Sequence, residues 1–346
     1  MMNEIKGIET DFAHCVYTFL VNYLSGERNL SPKTVKSYGL TLKLFITFLG
    51  KTDAIKPENI RLNDVTSINI RRFLDEAESS GGIKPSTRNQ RLAALKTFVR
   101  YAMQEHPVFL LEGQRILALP QKRSSTPEIV YLEKDAMKAL LAAPDQKSIR
   151  GRRDLAILAL LYDTGARVQE LLDIAIKDIR FSKPATVTLL GKGSKTRTVP
   201  IMDETVKIIE AYLYDLEFYE SEACGDLKLF RSPNRSQFTR PGITKILKKH
   251  YEAAKADNPT LSFPKSIHPH ALRASKAIHL LEAGVNIIII RDFLGHVSVS
   301  TTQMYLRVNS RLKKEAINSA YPSLGVPSPS WDENVDLMRF LKDLCS

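Results

Sequence analysis

Apolar residues recur every three or four positions through most of the first hundred residues, which is the spacing of amphipathic helices. Ser31 and Pro32 supply an N-cap followed by proline at the first helical position. The apolar face that follows them consists of Val35, Tyr38, Leu42, Phe45 and Leu49. A second helix is predicted to start near Thr66, and a third at Pro85. The pattern predicts a small helical bundle over residues 1–108.

The outer surface of this bundle is predicted to be basic. Arg88, Arg91 and Lys96 lie off the apolar stripe of the third helix. They are either a solvated face or contacts to the DNA backbone. The periodicity then breaks, and a polar stretch over 109–128 is interpreted as an interdomain linker. Its Lys122-Arg123 pair would suit a path along DNA.

The second domain is predicted over 129–322 as a mixture of helices and one hairpin. Residues 153–162 form a strongly apolar helix that ends at Thr164-Gly165. Residues 186–190 and 196–201 alternate as β-strands around a glycine-containing turn. The predicted fold class is therefore mainly α with a small β-sheet.

A tether and a terminal helix are predicted after this domain, over 323–346. Proline, serine and glycine dominate the start of the segment. Val335, Met338, Leu341 and Leu344 then form a short amphipathic stripe. Such a helix can dock on its own domain or on a neighbouring copy, and we favour the neighbour.

The charge balance points to an anionic partner. The 346 residues carry a net charge of +12 and a pI near 9.5, and nucleic acid is the commonest partner of such proteins. A basic protein without a polyanionic partner is the alternative. Cys15, Cys224 and Cys345 fit neither a disulfide framework nor a zinc site. With no signal peptide and no apolar stretch long enough to span a bilayer, we expect a soluble cytoplasmic protein without membrane contact.

The second domain also contains residues suited to binding and cleaving a phosphodiester. Two arginines, a lysine and two histidines can coordinate a phosphate, and a tyrosine can attack it once its charge is neutralised. The candidates are Arg167, Lys192, His270, Arg273, His296 and Tyr305.

Each candidate has an ordinary structural explanation when taken alone. Arg167 can simply pair with Glu170 three residues later, and Lys192 between two glycines can be a solvated turn lysine. His270 can cap a helix, and His296 can pack in a loop. Tyr305 lies among apolar neighbours and can be a core residue. Their occurrence together is what requires an explanation.

Five short motifs in order resemble the tyrosine site-specific recombinases, also called the phage-integrase family, and the likeness runs from about residue 12 to 322. The motifs are Thr164-Gly165-Ala166-Arg167-Val168-Gln169-Glu170-Leu171, the lysine hairpin Gly191 to Arg197, His270-Ala271-Leu272-Arg273, Leu294-Gly295-His296 and Thr301-Thr302-Gln303-Met304-Tyr305. Two departures, Ala274 and Ala166, remove no catalytic group. The resemblance implies a two-domain type similar to Xer recombinases, with a helical core-binding domain and a mixed α/β catalytic domain that form a C-shaped clamp on DNA.

The resemblance also implies a role for each residue. Arg167 and Arg273 would hold the scissile phosphate, and Glu170 would support them. Lys192 would protonate the leaving 5′-hydroxyl, His270 would assist proton transfer, and His296 would hydrogen-bond the phosphate. Tyr305 would form a 3′-phosphotyrosyl link that needs no cofactor and no metal. Further DNA contacts are predicted at Arg88, Arg91, Lys96, Lys122, Arg123 and Arg240.

The expected partners are double-stranded DNA with inverted-repeat core sites and further copies of this chain, as a dimer on each site and a tetramer in the synapse. An accessory protein is possible. The favoured role is an integrase or transposase of a bacterial mobile element. The alternatives are chromosome-dimer resolution, DNA inversion and a DNA-binding regulator that has lost catalysis. A metal site at His268-Pro269-His270 and a phosphate-binding loop at Gly191 are rejected, because ligand partners and the required glycine spacing are missing.

Overall fold

A computed structural model describes residues 10–124, 128–191, 195–215, 226–231, 238–296 and 298–306, together with 339 and 343. The chain divides into two compact units, Met1–Pro127 and Glu128–Ser346. The description below treats each unit separately.

The first unit is helical, as predicted. Its α-helices are α1 (Asp11–Thr18), α2 (Pro32–Thr52), α3 (Ser67–Ser79), α4 (Pro85–Glu105) and α5 (Leu110–Leu117), and a π-helical segment (Phe19–Glu27) continues α1. The predicted caps are present, because the side chains of Ser31 and Thr66 accept hydrogen bonds from the first turns of α2 and α3. The sequence pattern did not identify α5 or the π-helical segment.

The first unit extends further than the predicted boundary at residue 108. Phe109, Ile116 and Leu119 are buried in the same core as the long helices, so α5 belongs to the bundle. The linker predicted to begin at residue 109 is wrong in this part. Pro107 and Gly113 interrupt the sequence pattern, but Gly113 packs closely against Met103 of α4, where a larger side chain would clash.

The second unit contains eight described α-helices around a small sheet. They are α6 (Lys134–Ala142), α7 (Ile149–Thr164), α8 (Val168–Asp173), α9 (Asp203–Tyr214), α10 (Arg240–Asp257), α11 (Pro269–Glu282), α12 (Ile287–Leu294) and α13 (Val299–Leu306). As its apolar sequence predicts, α7 is buried almost throughout and packs against α9 and α11. The predicted mainly helical fold with a small sheet is confirmed.

The sheet has three antiparallel strands, β1 (Ile179–Arg180), β2 (Thr186–Leu190) and β3 (Thr196–Pro200). The predicted hairpin corresponds to β2 and β3, which pair in a register that places Val187 opposite Val199. Both valines are buried in the core of the unit. The two-residue strand β1 is too short to give an alternating pattern in the sequence.

Two left-handed glycines bring separate helix ends together near this core. Gly165 ends α7 with φ of +57°, and Gly295 ends α12 with φ of +65°. A Cβ at Gly165 would lie 2.8 Å from Leu294 Cδ2, so the two helix ends approach closely. The predicted C-terminal helix over Val335 to Leu344 lies outside the described residues, except for Arg339 and Asp343. No helix in the described part of the chain is long and apolar enough to cross a membrane.

Candidate active site

The turn between α7 and α8 presents Arg167. Arg167 is the N-cap residue of α8, and its backbone N–H donates to Glu170 Oε2 at 2.8 Å. Its guanidinium also donates to Glu170 Oε1 at 2.6 Å. The pairing considered as an ordinary alternative therefore exists. The pair with Glu170 does not use all the N–H donors of the Arg167 side chain, which remains partly exposed.

Glu170 is the buried carboxylate that organises this part of the site. Besides Arg167, it accepts hydrogen bonds from Arg197, at 2.7 Å to Oε2 and 3.1 Å to Oε1. Burial alone would raise the pKa of Glu170, but the hydrogen bonds and charges of Arg197 and Arg167 outweigh burial and lower it to about 2. Glu170 is therefore ionised at any physiological pH and acts as a fixed anchor.

Arg273, on α11, is fully buried. Its two terminal nitrogens donate to the carbonyls of Gly165 and Leu294, both at 2.7 Å. These carbonyls belong to the C-terminal ends of α7 and α12, where a cation is favoured. Its Nε has no hydrogen-bond partner within the described part of the chain. Burial and the positive charge of Arg167 lower the pKa of Arg273 to about 10, so it stays charged at neutral pH.

His270 lies one helical turn before Arg273, at the start of α11. Its ring stacks beside that of His268 at 6.4 Å between centroids. Desolvation by the surrounding protein atoms and the positive charge of Arg273 lower the pKa of His270 to about 4. The ring is therefore neutral at pH 7 and can accept a proton. The described residues include no cluster of three or more His, Cys, Asp or Glu side chains that could hold a metal ion.

His296 follows the left-handed Gly295 directly. Its Nδ1 shares a hydrogen bond with the hydroxyl of the buried Thr302, at 2.9 Å. Burial, followed by the positive charges of Arg273 and Arg167, lowers the pKa of His296 to about 4. The same two arginines act on both histidines, which places all four side chains around one positively charged region.

Tyr305, on α13, has a side chain that is 1% exposed. It packs with Ala274, Ala277, Ile278, Leu281, Ile290 and Leu294. Its ring lies parallel to that of His296, with 6.3 Å between centroids. Burial raises the pKa of Tyr305, and the nearby Arg273 guanidinium opposes this effect. Tyr305 is therefore both a core residue and a neighbour of the buried Arg273 and the half-buried His296.

Five of the six candidate residues thus converge in the second unit: Arg167, His270, Arg273, His296 and Tyr305. The sixth, Lys192, lies outside the described residues. The strands on either side of it are described, and Gly191 N donates to Lys195 O at 2.8 Å where the hairpin turn begins.

Arg197 is a member of this site that the sequence reasoning did not single out. Its Nη1 and Nη2 donate to Glu170, and its Nε donates to the carbonyl of Phe293. A signal was present in the sequence, because Arg197 alternates with the exposed Thr196 and Thr198 and shares a strand face with the buried Val199. An arginine on the buried face of a strand requires a partner inside the fold.

Two predicted DNA contacts in the first unit are engaged within the protein. Arg88 is buried and pairs with Asp75 at 3.2 Å and Glu78 at 3.1 Å, so the prediction that it contacts DNA is wrong for this arrangement. Lys96 Nζ donates to the carbonyl of Leu119 at 2.6 Å, and burial lowers its pKa. The periodicity placed both residues off the apolar stripe but could not show these distant partners.

The remaining predicted contacts are more accessible. Lys122 is exposed but pairs with Glu78, while Arg91 is half-buried with its guanidinium 5.9 Å from the ring centroid of Phe73. Arg123 is exposed. Arg240 is also exposed and is the first residue of α10, where its Nε donates to Gln169 at 2.8 Å. Arg123 and Arg240 are therefore the predicted contacts that the fold leaves most available to DNA.

Comparison with known proteins identifies the family. The model of the phage integrase family matches residues 130–311, and that of the phage integrase N-terminal SAM-like domain matches residues 19–106. The chain belongs to the phage integrase family. The resemblance inferred from the five motifs is thereby confirmed, and the chain is a tyrosine recombinase by family.

Curated members of the phage integrase family match nearly the whole chain. A protein of Sinorhizobium fredii named "Putative integrase/recombinase y4rC" is 32% identical over 327 residues, which cover 94% of this chain and 96% of the relative. The tyrosine recombinase XerC of Pelobacter propionicus is 32% identical over 309 residues, covering 89% and 95%. An integrase/recombinase name and a XerC name thus occur at equal identity.

Solved structures of phage integrase relatives share the fold. The Tn1549 transposon integrase in complex with circular intermediate DNA has a TM-score of 0.66 at 15% identity, over 88% of this chain and 99% of that chain. The XerH site-specific recombinase bound to palindromic difH substrate has a TM-score of 0.65 at 20% identity, over 85% and 82%.

Proposed function

We propose that this chain cleaves and rejoins DNA by forming a covalent bond between Tyr305 and a 3′-phosphate. The observation that carries the proposal is the state of Arg273. It is a fully buried cation beside Tyr305, and its hydrogen bonds go to neutral backbone carbonyls. A buried charge without an anionic partner is costly unless a ligand supplies one. A DNA phosphate would supply it.

The charge around Arg273 supports the same proposal. Arg167 and Arg197 both pair with Glu170, and the charges of all three act on Arg273, so the positive charges of these residues exceed the negative one. The lowered pKa values of His270 and His296 arise partly from these arginines. A phosphate with two non-bridging oxygens would offset this field, and the offset would grow in the pentacovalent transition state.

The proposed reaction begins when the Tyr305 oxygen attacks the scissile phosphorus. Its proton passes to the neutral His270, and His296 donates a hydrogen bond to the phosphate. The bond from phosphorus to the 5′-oxygen breaks as the bond to Tyr305 forms, and Lys192 supplies the proton that the leaving oxygen needs. Attack by a 5′-hydroxyl on the phosphotyrosyl bond reverses these steps and rejoins a strand.

Because the phosphotyrosyl link conserves the energy of the phosphodiester, no cofactor is needed for rejoining. The burial of Tyr305 adds a requirement. Its hydroxyl has to reach the phosphate, so we expect DNA binding to shift α13 and uncover the side chain. The same hydroxyl would remain protected from unrelated electrophiles in the absence of DNA.

The proposed substrate is double-stranded DNA that both units contact, at core sites arranged as inverted repeats. The net charge of +12 supports a polyanionic partner. XerH was solved with a palindromic substrate, and the lambda integrase was solved as a dimer on a core site. We propose the same kind of assembly here, as a dimer on each site and a tetramer in the synapse, with the reaction taking place in the cytoplasm.

The proposed biological role is integration or excision of a mobile element. The integrase/recombinase name of the Sinorhizobium fredii relative favours it. Chromosome-dimer resolution is the second candidate, because the Pelobacter propionicus relative is named XerC. Recovery and sequencing of the DNA covalently attached to the protein in its native cells would separate them. Attachment at the ends of an element supports the first role, and attachment at one chromosomal site supports the second.

The cleavage proposal is tested with a suicide substrate that carries a nick near the cleavage site, so that the released fragment cannot be rejoined. We expect a covalent protein–DNA adduct with the wild type and none with Tyr305→Phe, which should still bind DNA. Tyr251→Phe is the matched control, since Tyr251 is equally buried in the same unit. A wild type that binds its genuine site without forming an adduct would instead be a catalytically silent regulator.

A further inference from the structure

Arg197 connects two parts of the chain that the candidate site requires. Its side chain on β3 is 13% exposed. Two of its nitrogens hold both oxygens of Glu170, at 2.7 and 3.1 Å, and its Nε donates to the carbonyl of Phe293 at 3.1 Å. One planar guanidinium therefore joins β3 to α8 and to the end of α12.

Each partner of Arg197 is next to a residue with a proposed role. Glu170 also binds the backbone and the guanidinium of Arg167. Phe293 precedes Leu294, whose carbonyl accepts a hydrogen bond from Arg273, and His296 follows two residues later. A shift of Arg197 would therefore be transmitted to the phosphate-binding groups from both sides.

The packing around Arg197 is close as well as polar. A Cβ at Gly295 would lie 3.1 Å from both Cδ and Nη1 of Arg197. The guanidinium thus lies against the backbone that leads into His296, and the absence of a side chain at Gly295 permits this approach. Lysine could keep the positive charge at position 197, but it lacks the planar fork that reaches Glu170 and Phe293 together.

We propose that Arg197 is a positioning residue that fixes Arg167, through Glu170, relative to the Leu294–His296 segment. The inference rests on the proposed function, because the geometry that it protects is that of the phosphate site. Arg197 contacts the groups that hold the site rather than the reacting atoms. Misplacement of reacting groups by about 1 Å can cost about 100-fold in rate, so loss of the fork should slow cleavage by that order.

The test compares Arg197→Lys with Arg153→Lys. Arg153 is a close match, since its side chain is 14% exposed and pairs with the carboxylate of Asp154, which is 5% exposed against 4% for Glu170. The measurements are the first-order rate of adduct formation at saturating suicide substrate, the Kd for DNA and the midpoint of urea unfolding. We expect Arg197→Lys to lose about 100-fold in rate, with Kd and unfolding midpoint close to those of Arg153→Lys.

A second measurement separates positioning from general damage to the fold. If Arg197 acts through Glu170, then in a Glu170→Gln background Arg197→Lys should cost less than about fivefold in rate, because the coupled partner is already altered. If the damage is independent of Glu170, the two rate losses multiply, and Arg197→Lys should still slow adduct formation by about 100-fold in the Glu170→Gln background.

The outcomes distinguish this inference from the proposed function. A wild type that forms no adduct overturns both. If the wild type forms the adduct but Arg197→Lys cleaves within about threefold of it, only the positioning role is overturned. The same conclusion follows if the rate loss is undiminished in the Glu170→Gln background, or if binding and stability fall together with the rate.

Discussion

Arg88 in the first unit and Arg273 in the second are both buried, but different groups surround their charges. Arg88 lies between the carboxylates of Asp75 and Glu78. Arg273 donates to two backbone carbonyls, and no carboxylate within the described residues forms an ion pair with it. The first charge is neutralised within the protein, whereas the second is held in place without being neutralised.

This difference separates a structural cation from one arranged for a ligand. Carbonyl groups fix the orientation of a guanidinium and offset part of its desolvation, but they supply no net negative charge. The net charge therefore remains available to an anion that enters the site. The two arginines are alike in their position along the helix and in their burial. The groups that they contact, carboxylates for Arg88 and carbonyls for Arg273, therefore distinguish the structural cation from the one arranged for a ligand.

The largest expected effect is on cleavage when Arg273 is replaced. Arg273→Met keeps a similar volume but removes the charge that would stabilise the transition state. We expect the rate of adduct formation at saturating DNA to fall by about 1000-fold. A rate within about tenfold of the wild type would contradict the assignment of Arg273 to the phosphate.

Replacement of Arg88 should affect stability instead. Arg88→Met leaves Glu78 with Lys122 alone and Asp75 in contact with solvent, so the free energy of unfolding should fall by roughly 1–3 kcal/mol. Urea unfolding of the full chain measures this change. The rate of adduct formation and the Kd for DNA should be unchanged. If Arg88→Met instead binds DNA more weakly while its free energy of unfolding is unchanged, Arg88 contacts DNA after all.

An NMR titration of His270 and His296 should report the burial of both rings and the positive charge of the nearby arginines in the second unit. In the DNA-free protein we expect His270 and His296 to titrate near pH 4, well below the ordinary value of 6.5. The unfolded chain then takes up protons first, so the free energy of unfolding declines as the pH falls from 6.5 towards 4. Core-site DNA should raise both pKa values, because a phosphate favours the protonated rings. Titration midpoints near pH 6.5 in the absence of DNA would contradict this effect of burial and of the arginine charges on the two histidines.

The smallest effect is expected at Arg123, an exposed residue of the first unit. Arg123→Ala should weaken binding to all DNA sequences alike and reduce the salt dependence of the Kd by about one unit of slope. Binding isotherms at several salt concentrations measure this slope. An unchanged slope would remove Arg123 from the DNA-binding surface.

The sequence predicted the parts of this molecule that local pattern determines. The helices around Phe45 and Leu160 follow from apolar spacing and caps, and the β2–β3 hairpin follows from alternation around glycine. The candidate site residues were found because each lies in a short motif. That these residues act in catalysis is still a prediction.

Contacts between distant segments could not be predicted in the same way. Arg88 was assigned to DNA and Arg197 was not singled out, and only the folded chain shows that one meets Glu78 and the other Glu170. The helix α5 was missed because Gly113 interrupts its pattern, although the glycine is required there by its contact with Met103. Pairing over long separations depends on the tertiary fold, and short windows of sequence do not contain it.

The hydrogen bond between Thr302 and His296 occupies Nδ1, which leaves Nε2 as the ring nitrogen that can serve a phosphate. A phosphate oxygen only accepts hydrogen bonds, so Nε2 of the neutral ring must carry the proton and Nδ1 must accept one. The Thr302 hydroxyl is buried and is placed to donate to Nδ1. Thr302 would thus set which nitrogen of His296 faces the phosphate, and valine, with the same shape but no hydroxyl, would leave the ring free to present either nitrogen.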